Sequence, residues 1–152
     1  MEKSGLVVQG HYAPANAPNA FLEKISGAVS ADWCAAGFPA TGAANWINYL
    51  ELDNFAGIPL VHAETDGQTA WNYSTACTVA TRDASYSLLS WVIRFRQGPG
   101  SFWDYTRNAN TTWENVCAGG VFWAGVWHAY LRQYTMSNGR LYGGNFSTNN
   151  GC

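Results

Sequence analysis

Apolar and polar residues alternate with a period of two over much of this chain, the pattern of strands that press one face on a core. Trp46–Leu52 sets Trp46, Asn48 and Leu50 against Ile47, Tyr49 and Glu51. Ser85–Arg96 sets Trp91, Ile93 and Phe95 against Ser90, Val92, Arg94 and Arg96. Ile58–Ala63 is a short third strand, and Pro59 places it at a sheet edge or at a strand start. Asp66-Gly67 reads as a tight turn after it. Thr69–Ala80 is rich in Thr, Val, Tyr and Trp, which suit a pleated surface. Gln97-Gly-Pro-Gly100 ends the strand that begins at Ser85.

Gly120–Met136 has two readings. As a helix it places Trp123, Trp127, Tyr130 and Tyr134 on one face. Its rings and valines favour a long strand bulged at Gly125. Ser137-Asn-Gly139 then marks a hairpin, with Arg140-Leu-Tyr142 as the return strand. Gly143–Cys152 reads as loop. Before Asp32 the pattern differs: Leu6–Val8 is a short extended run, Tyr12–Asn19 is a proline-punctuated loop, and Phe21–Val29 has helical spacing with Asn19 as its cap. The predicted organisation is an N-terminal extension or shaft-to-tip connector over 1–30 and a β-rich domain over 31–152. The predicted fold class is all-β, a mostly antiparallel sandwich or intertwined β tip, with at most one short N-terminal helix. The opening residues read as the middle of a longer chain.

Composition sharpens this picture. There are eight tryptophans in 152 residues, and 15% of the chain is aromatic against 12% charged. The rings crowd between Trp91 and Tyr142, on strands apolar on both faces, and such strands are usually covered on both sides. A subunit interface would do this, with Trp91, Trp123, Trp127 and Tyr130 as its candidate residues. A net charge of −2 and only two lysines oppose a nucleic-acid partner. No apolar run is long enough to span a bilayer, so no membrane insertion is expected. Gly98-Pro-Gly100 and Gly119-Gly120 lack the context and lysine of a phosphate loop. The three histidines form a metal site only if the fold gathers them. No cofactor is expected.

Two catalytic readings exist. Cys34, in Asp32-Trp-Cys-Ala-Ala36, could pair with His62 as a peptidase nucleophile and base, although Gly37-Phe-Pro39 breaks any helix after Cys34. Glu51, Asp53, Glu64, Asp66 and Asp104 offer carboxylates for glycoside hydrolysis, but no spacing singles out a pair. Together these define the alternative of a cell-wall or capsule-degrading hydrolase. Cys34, Cys77, Cys117 and Cys152 contain no C-x-x-C and allow three disulfide pairings. The binding signal is more compact. Sugars present apolar C–H faces and a ring of hydroxyls, and flat rings beside short planar hydrogen-bonding groups match both. Ser101–Asn110 supplies these within ten residues, and Trp103, Asp104, Tyr105, Arg107, Asn108 and Asn110 are the candidate ligand contacts.

Short strands, few charges, abundant Gly, Asn, Thr and Trp, and phrases such as Trp91-Val-Ile-Arg-Phe-Arg96 and Asn110-Thr-Thr-Trp113 resemble the C-terminal receptor-binding tips of bacteriophage tail fibres. Ser4-Gly-Leu-Val-Val-Gln-Gly10 looks like a shaft running into its tip. The resemblance implies a homotrimeric, virion-borne or extracellular adhesion module, not an enzyme, that binds a host cell-surface glycan or an outer-membrane protein. A structural connector whose rings only join subunits is a further alternative.

Overall fold

Antiparallel pairing organises the whole of the computed structural model, which describes residues 33–121 and 125–149 and the backbone of 6–15. The strands are β1 (Leu6–Ala15), β2 (Gly42–Asn54), β3 (Pro59–Trp71), β4 (Ala76–Asp83), β5 (Tyr86–Ser87), β6 (Trp91–Asp104), β7 (Ala109–Gly120), β8 (Val126–Met136), β9 (Leu141–Gly143) and β10 (Phe146–Thr148). They form two five-stranded sheets. The first runs β1-β2-β3-β4, with β5 also on β3; the second runs β10-β8-β7-β6, with β9 also on β8. The all-β class is thus the observed one, with no helix among the described residues. The proposed helix over Phe21–Val29 lies outside them.

The sheets face each other across an apolar cluster. Leu50, Leu52, Leu60, Val61 and Ala63 come from the first sheet; Trp91, Val116, Ala118, Trp127, Ala129 and Leu131 come from the second. The alternation of β2 reads out as expected: Trp46, Asn48 and Leu50 are buried, whereas Ile47, Tyr49 and Glu51 are only half-buried. Beyond the apolar cluster the interlayer is polar, and several of its buried side chains hydrogen-bond one another. The Thr135 hydroxyl donates to Thr69 Oγ1 at 2.9 Å, Thr78 donates to Asn110 Oδ1 at 2.8 Å, and Asn48 and Asn145 exchange amide hydrogen bonds at 3.0 and 2.6 Å. Glu114, fully buried, accepts from the Thr65 hydroxyl. Burial first, and then a hydrogen bond to Asp83, push its carboxyl up to about 9.

Glycines that read as turns have other duties here. Asp66-Gly67 lies in the middle of β3, not in a turn, and Gly67 is paired with Trp46 across the sheet. Three indole atoms of Trp46 lie 2.3–2.8 Å from where a Cβ on Gly67 would stand, so the ring lies flat on that glycine. Gln97–Gly100 does not end a strand either; β6 continues to Asp104 through a bulge there. Gly100 faces Trp113, whose indole atoms lie 2.6–2.9 Å from its missing Cβ. The long bulged strand expected over Gly120–Met136 is instead the end of β7 and all of β8, with a reversal closed by Gly120 N–H donating to Gly125 O at 3.0 Å. Ser85–Arg96 divides into β5 and the start of β6 around Leu88–Ser90. The hairpin at Ser137–Gly139 is as predicted, with Gly139 at φ +90°, but the presumed loop after it contains β10. Residues 6–15, expected in an extension, are hydrogen-bonded to β2 from Leu6↔Asn54 to Ala15↔Asn45. The proline-punctuated stretch therefore begins as strand.

Of the three possible cysteine pairings the structure shows Cys34–Cys77, and Cys117 is disulfide-bonded as well. The first bond ties the segment before β2 to β4, where Cys34 N–H also donates to Thr78 O at 2.8 Å. With a sequence separation of 43, loop-closure entropy makes this bond worth about 4 kcal/mol at most. Replacing both Cys34 and Cys77 with serine is expected to lower the unfolding free energy by about 2–4 kcal/mol in a denaturant titration. A loss under about 1 kcal/mol would contradict that account.

Candidate functional site

The six residues expected to contact ligand divide into a turn and a wall. Asp104 Oδ1 accepts from the Thr106 and Arg107 N–H groups at 2.9 and 3.3 Å, and its Oδ2 pairs with Arg107 at 3.2 Å. Asn108 takes a left-handed φ of +54°, which asparagine tolerates. Asp104, Arg107 and Asn108 thus shape the β6–β7 turn, and the Arg107 guanidinium lies 4.8 Å from the Tyr134 ring centroid. Tyr105 stands at the apex, 88% exposed. Trp103 and Asn110 are cross-strand partners and line a cleft of about 180 Å³.

Trp33 and Phe38 supply the other aromatic walls, with Thr75 and Cys77 between them. Asn110 is 1% exposed. Its amide oxygen accepts from Thr78 and its amide nitrogen donates to Ser101 Oγ at 3.0 Å, so it serves as wall more than as free donor. Sequence reasoning missed Trp33 and Phe38. They flank Cys34, and only the pairing of that cysteine with Cys77 would have brought them to Trp103.

The outer face of the first sheet carries a second cluster. His62 on β3 is held at both ring nitrogens, 2.7 Å from Glu51 Oε2 and 2.6 Å from Glu64 Oε1. Its ring is stacked between Tyr49 and Tyr86, at 4.8 and 5.0 Å. Burial works against its charge, but the hydrogen bonds to Glu64 and Glu51 outweigh that and raise its pKa. Burial also opposes the Glu64 carboxylate, yet His62, Asp66 and Arg82 bring it below its usual range. Asp66 is pushed up to about 7, by burial and then by Glu64, despite its 3.0 Å ion pair with Arg82. The sequence hid this grouping because Glu51 and His62 meet only through the β2–β3 register. Cys34 has no thiol to pair with His62. Among the described residues no group of three His, Cys, Asp or Glu is placed to hold a metal ion.

The outer face of the second sheet carries much of the aromatic surplus. His128, Tyr130 and Phe146 form a stack with centroids 4.2 and 4.5 Å apart. Phe95 meets His128 edge-on at 6.2 Å, and Tyr134 packs on Tyr142 at 4.8 Å. Arg132 lies between Trp113 and Tyr130, 5.9 and 5.7 Å from their centroids. Of the residues expected at a subunit interface, Tyr130 is on this half-buried face. Trp91 and Trp127 are 4% and 1% exposed and lie in the apolar cluster between the two sheets of the single chain. Trp123 lies outside the described residues. No described helix is long and apolar enough to cross a membrane. Comparison with family models, with curated proteins and with solved structures finds no match for this chain.

Proposed function

We propose that this chain is a binding module, the receptor-binding tip of a bacteriophage tail fibre or a similar appendage, and that it recognises a host cell-surface glycan or outer-membrane protein without catalysing a reaction. The observation that carries this reading is the cleft walled by Trp33, Phe38 and Trp103 beside the projecting Tyr105. Three rings around a space of that size suit one sugar ring or one apolar side chain of an epitope. Homotrimeric assembly in a virion or outside the cell belongs to the same proposal. The exposed Leu88, Leu89, Val92 and Val121, near one another where Val121 N–H donates to Ser90 O, support association of copies. The hydrolase alternative has less behind it, since Cys34 is oxidised and His62 is engaged at both nitrogens.

The test is binding of the purified chain to an array of bacterial capsular polysaccharides, lipopolysaccharides and outer-membrane extracts. Trp103→Ala is expected to lower the signal of every bound preparation at least tenfold at unchanged melting temperature. Equal binding by the variant would refute the cleft as the site, and a stable monomer in solution would refute the trimer.

A further inference from the structure

We propose that the outer face of the second sheet holds a separate site for a carboxylate-bearing sugar, with Arg132 as its anion-binding group. This site shares no residue with the Trp103 cleft. Among the described residues Arg82, Arg96 and Arg107 each pair with an aspartate. Arg132 is half-buried and, among the described residues, pairs with no carboxylate. A guanidinium taken partly out of water with no counter-ion is costly unless something else answers its charge, and burial lowers its pKa accordingly.

Among the described residues, hydrogen bonds reach one of its side-chain nitrogens. The Arg132 Nη1 donates to Leu131 O at 2.8 Å, to Asn115 Oδ1 at 3.0 Å and to Glu114 O at 3.5 Å. Those bonds fix the group in place and leave Nε and Nη2, the side-on fork that fits a carboxylate with two parallel hydrogen bonds. The neighbours add no negative charge. Asn115 and Gln97 are amides joined at 3.2 Å. Burial and then the Arg132 charge lower the His128 pKa, which works against a second cation beside Arg132. Its Nδ1 is 3.0 Å from the Tyr130 hydroxyl, and its Nε2 is buried without a hydrogen bond.

The surroundings select a sugar over a bare anion. Trp113 lies flat on Gly98 and Gly100, where a Cβ would meet its ring at 3.2 and 2.6 Å. On the other side of Arg132, Tyr130 is stacked nearly parallel to Phe146, at 10° between planes, and Phe146 is 51% exposed. Flat rings flank the guanidinium, with the planar amides of Asn115 and Gln97 beside it. Apolar C–H faces, hydroxyls and one carboxylate of a uronic-acid-type residue match those three elements.

The experiment is a titration of the intact chain with sodium glucuronate and, separately, with glucose, followed by NMR of the Trp113 indole N–H, the Arg132 Nε–H and the Trp103 indole N–H. Glucuronate is expected to shift the Trp113 and Arg132 signals in a saturable way, with glucose at least tenfold weaker. Arg132→Gln is expected to remove the glucuronate effect, and Arg132→Lys to weaken it at least tenfold, because an ammonium cannot make the paired contact. The proposal is overturned if glucose acts as strongly as glucuronate, if glucuronate shifts neither signal, or if it shifts only Trp103. The comparison of the two sugars on the unaltered protein stands even if a variant does not fold, and a silent Trp103 leaves the cleft proposal to its own test.

Discussion

Gly67→Ala is expected to destabilise the chain by about 3 kcal/mol or more, at the upper end of what overpacking costs. The added Cβ would stand 2.3 Å from Trp46 Cζ2. Trp46 is completely buried, so its indole cannot swing aside without opening the interlayer. Denaturant unfolding of Gly67→Ala, of Trp46→Leu and of the double variant would check this. Trp46→Leu alone should also be costly, since it leaves a cavity. In the double variant the smaller side chain makes room for the methyl group. The double loss is therefore expected to fall short of the sum of the single losses by at least about 1 kcal/mol. Additive losses would show that the glycine and the indole are not the coupled pair described above.

Glu114→Gln is expected to stabilise the protein at pH 8 by at least about 1.4 kcal/mol, the equivalent of one pKa unit. Below pH 4.5 the Glu114 carboxyl is protonated folded or unfolded, and its contribution is complete. Between there and about pH 9 the unfolded chain releases the proton while the folded chain retains it. Stability therefore falls as pH rises through that window and levels off above it. Glutamine is neutral throughout and keeps a donor for Asp83, so the variant should lack this slope and match the parent near pH 4.5. Asp66, at about 7, adds a slope of the same sign between its unfolded value and pH 7. His62 acts likewise, its stabilisation being lost as pH rises through its raised pKa. Glu64 opposes them at the acid end, where protonation removes its bond to His62. Melting temperatures of parent and variant from pH 4.5 to 9 would decide the matter, and parallel curves would refute a protonated Glu114.

These buried contacts explain what the sequence could and could not convey. Strand alternation is local, so Trp46–Leu52 and the start of β3 at Pro59 were readable from a few neighbours. The Ser137–Gly139 turn was readable for the same reason. Gly67 and Gly100 look like chain reversals because glycine usually marks them. Their actual task is set by an indole on the adjacent strand, 21 residues away for Gly67 and 13 for Gly100. The aromatic surplus misled in a related way. Trp46, Trp91 and Trp127 fit inside one sandwich, and Trp113 lies down on glycines; the sequence shows the rings but not the space made for them. That Trp103 and Asn110 line one cleft was legible because they share a hairpin. Trp33 and Phe38 were not, because a disulfide brings them there.

The two register shifts of β6 bear on how copies of this chain can crowd together. A regular strand with one neighbour in its sheet offers its other edge as a template for a foreign strand. β6 is irregular at Ile93/Phe95 and again at Gln97/Gly100, and Pro99 has no N–H to give. The shifts leave three short regular stretches, of which the longest is Gly100–Asp104. A foreign strand arriving at the β6 edge would therefore find only short stretches to pair with.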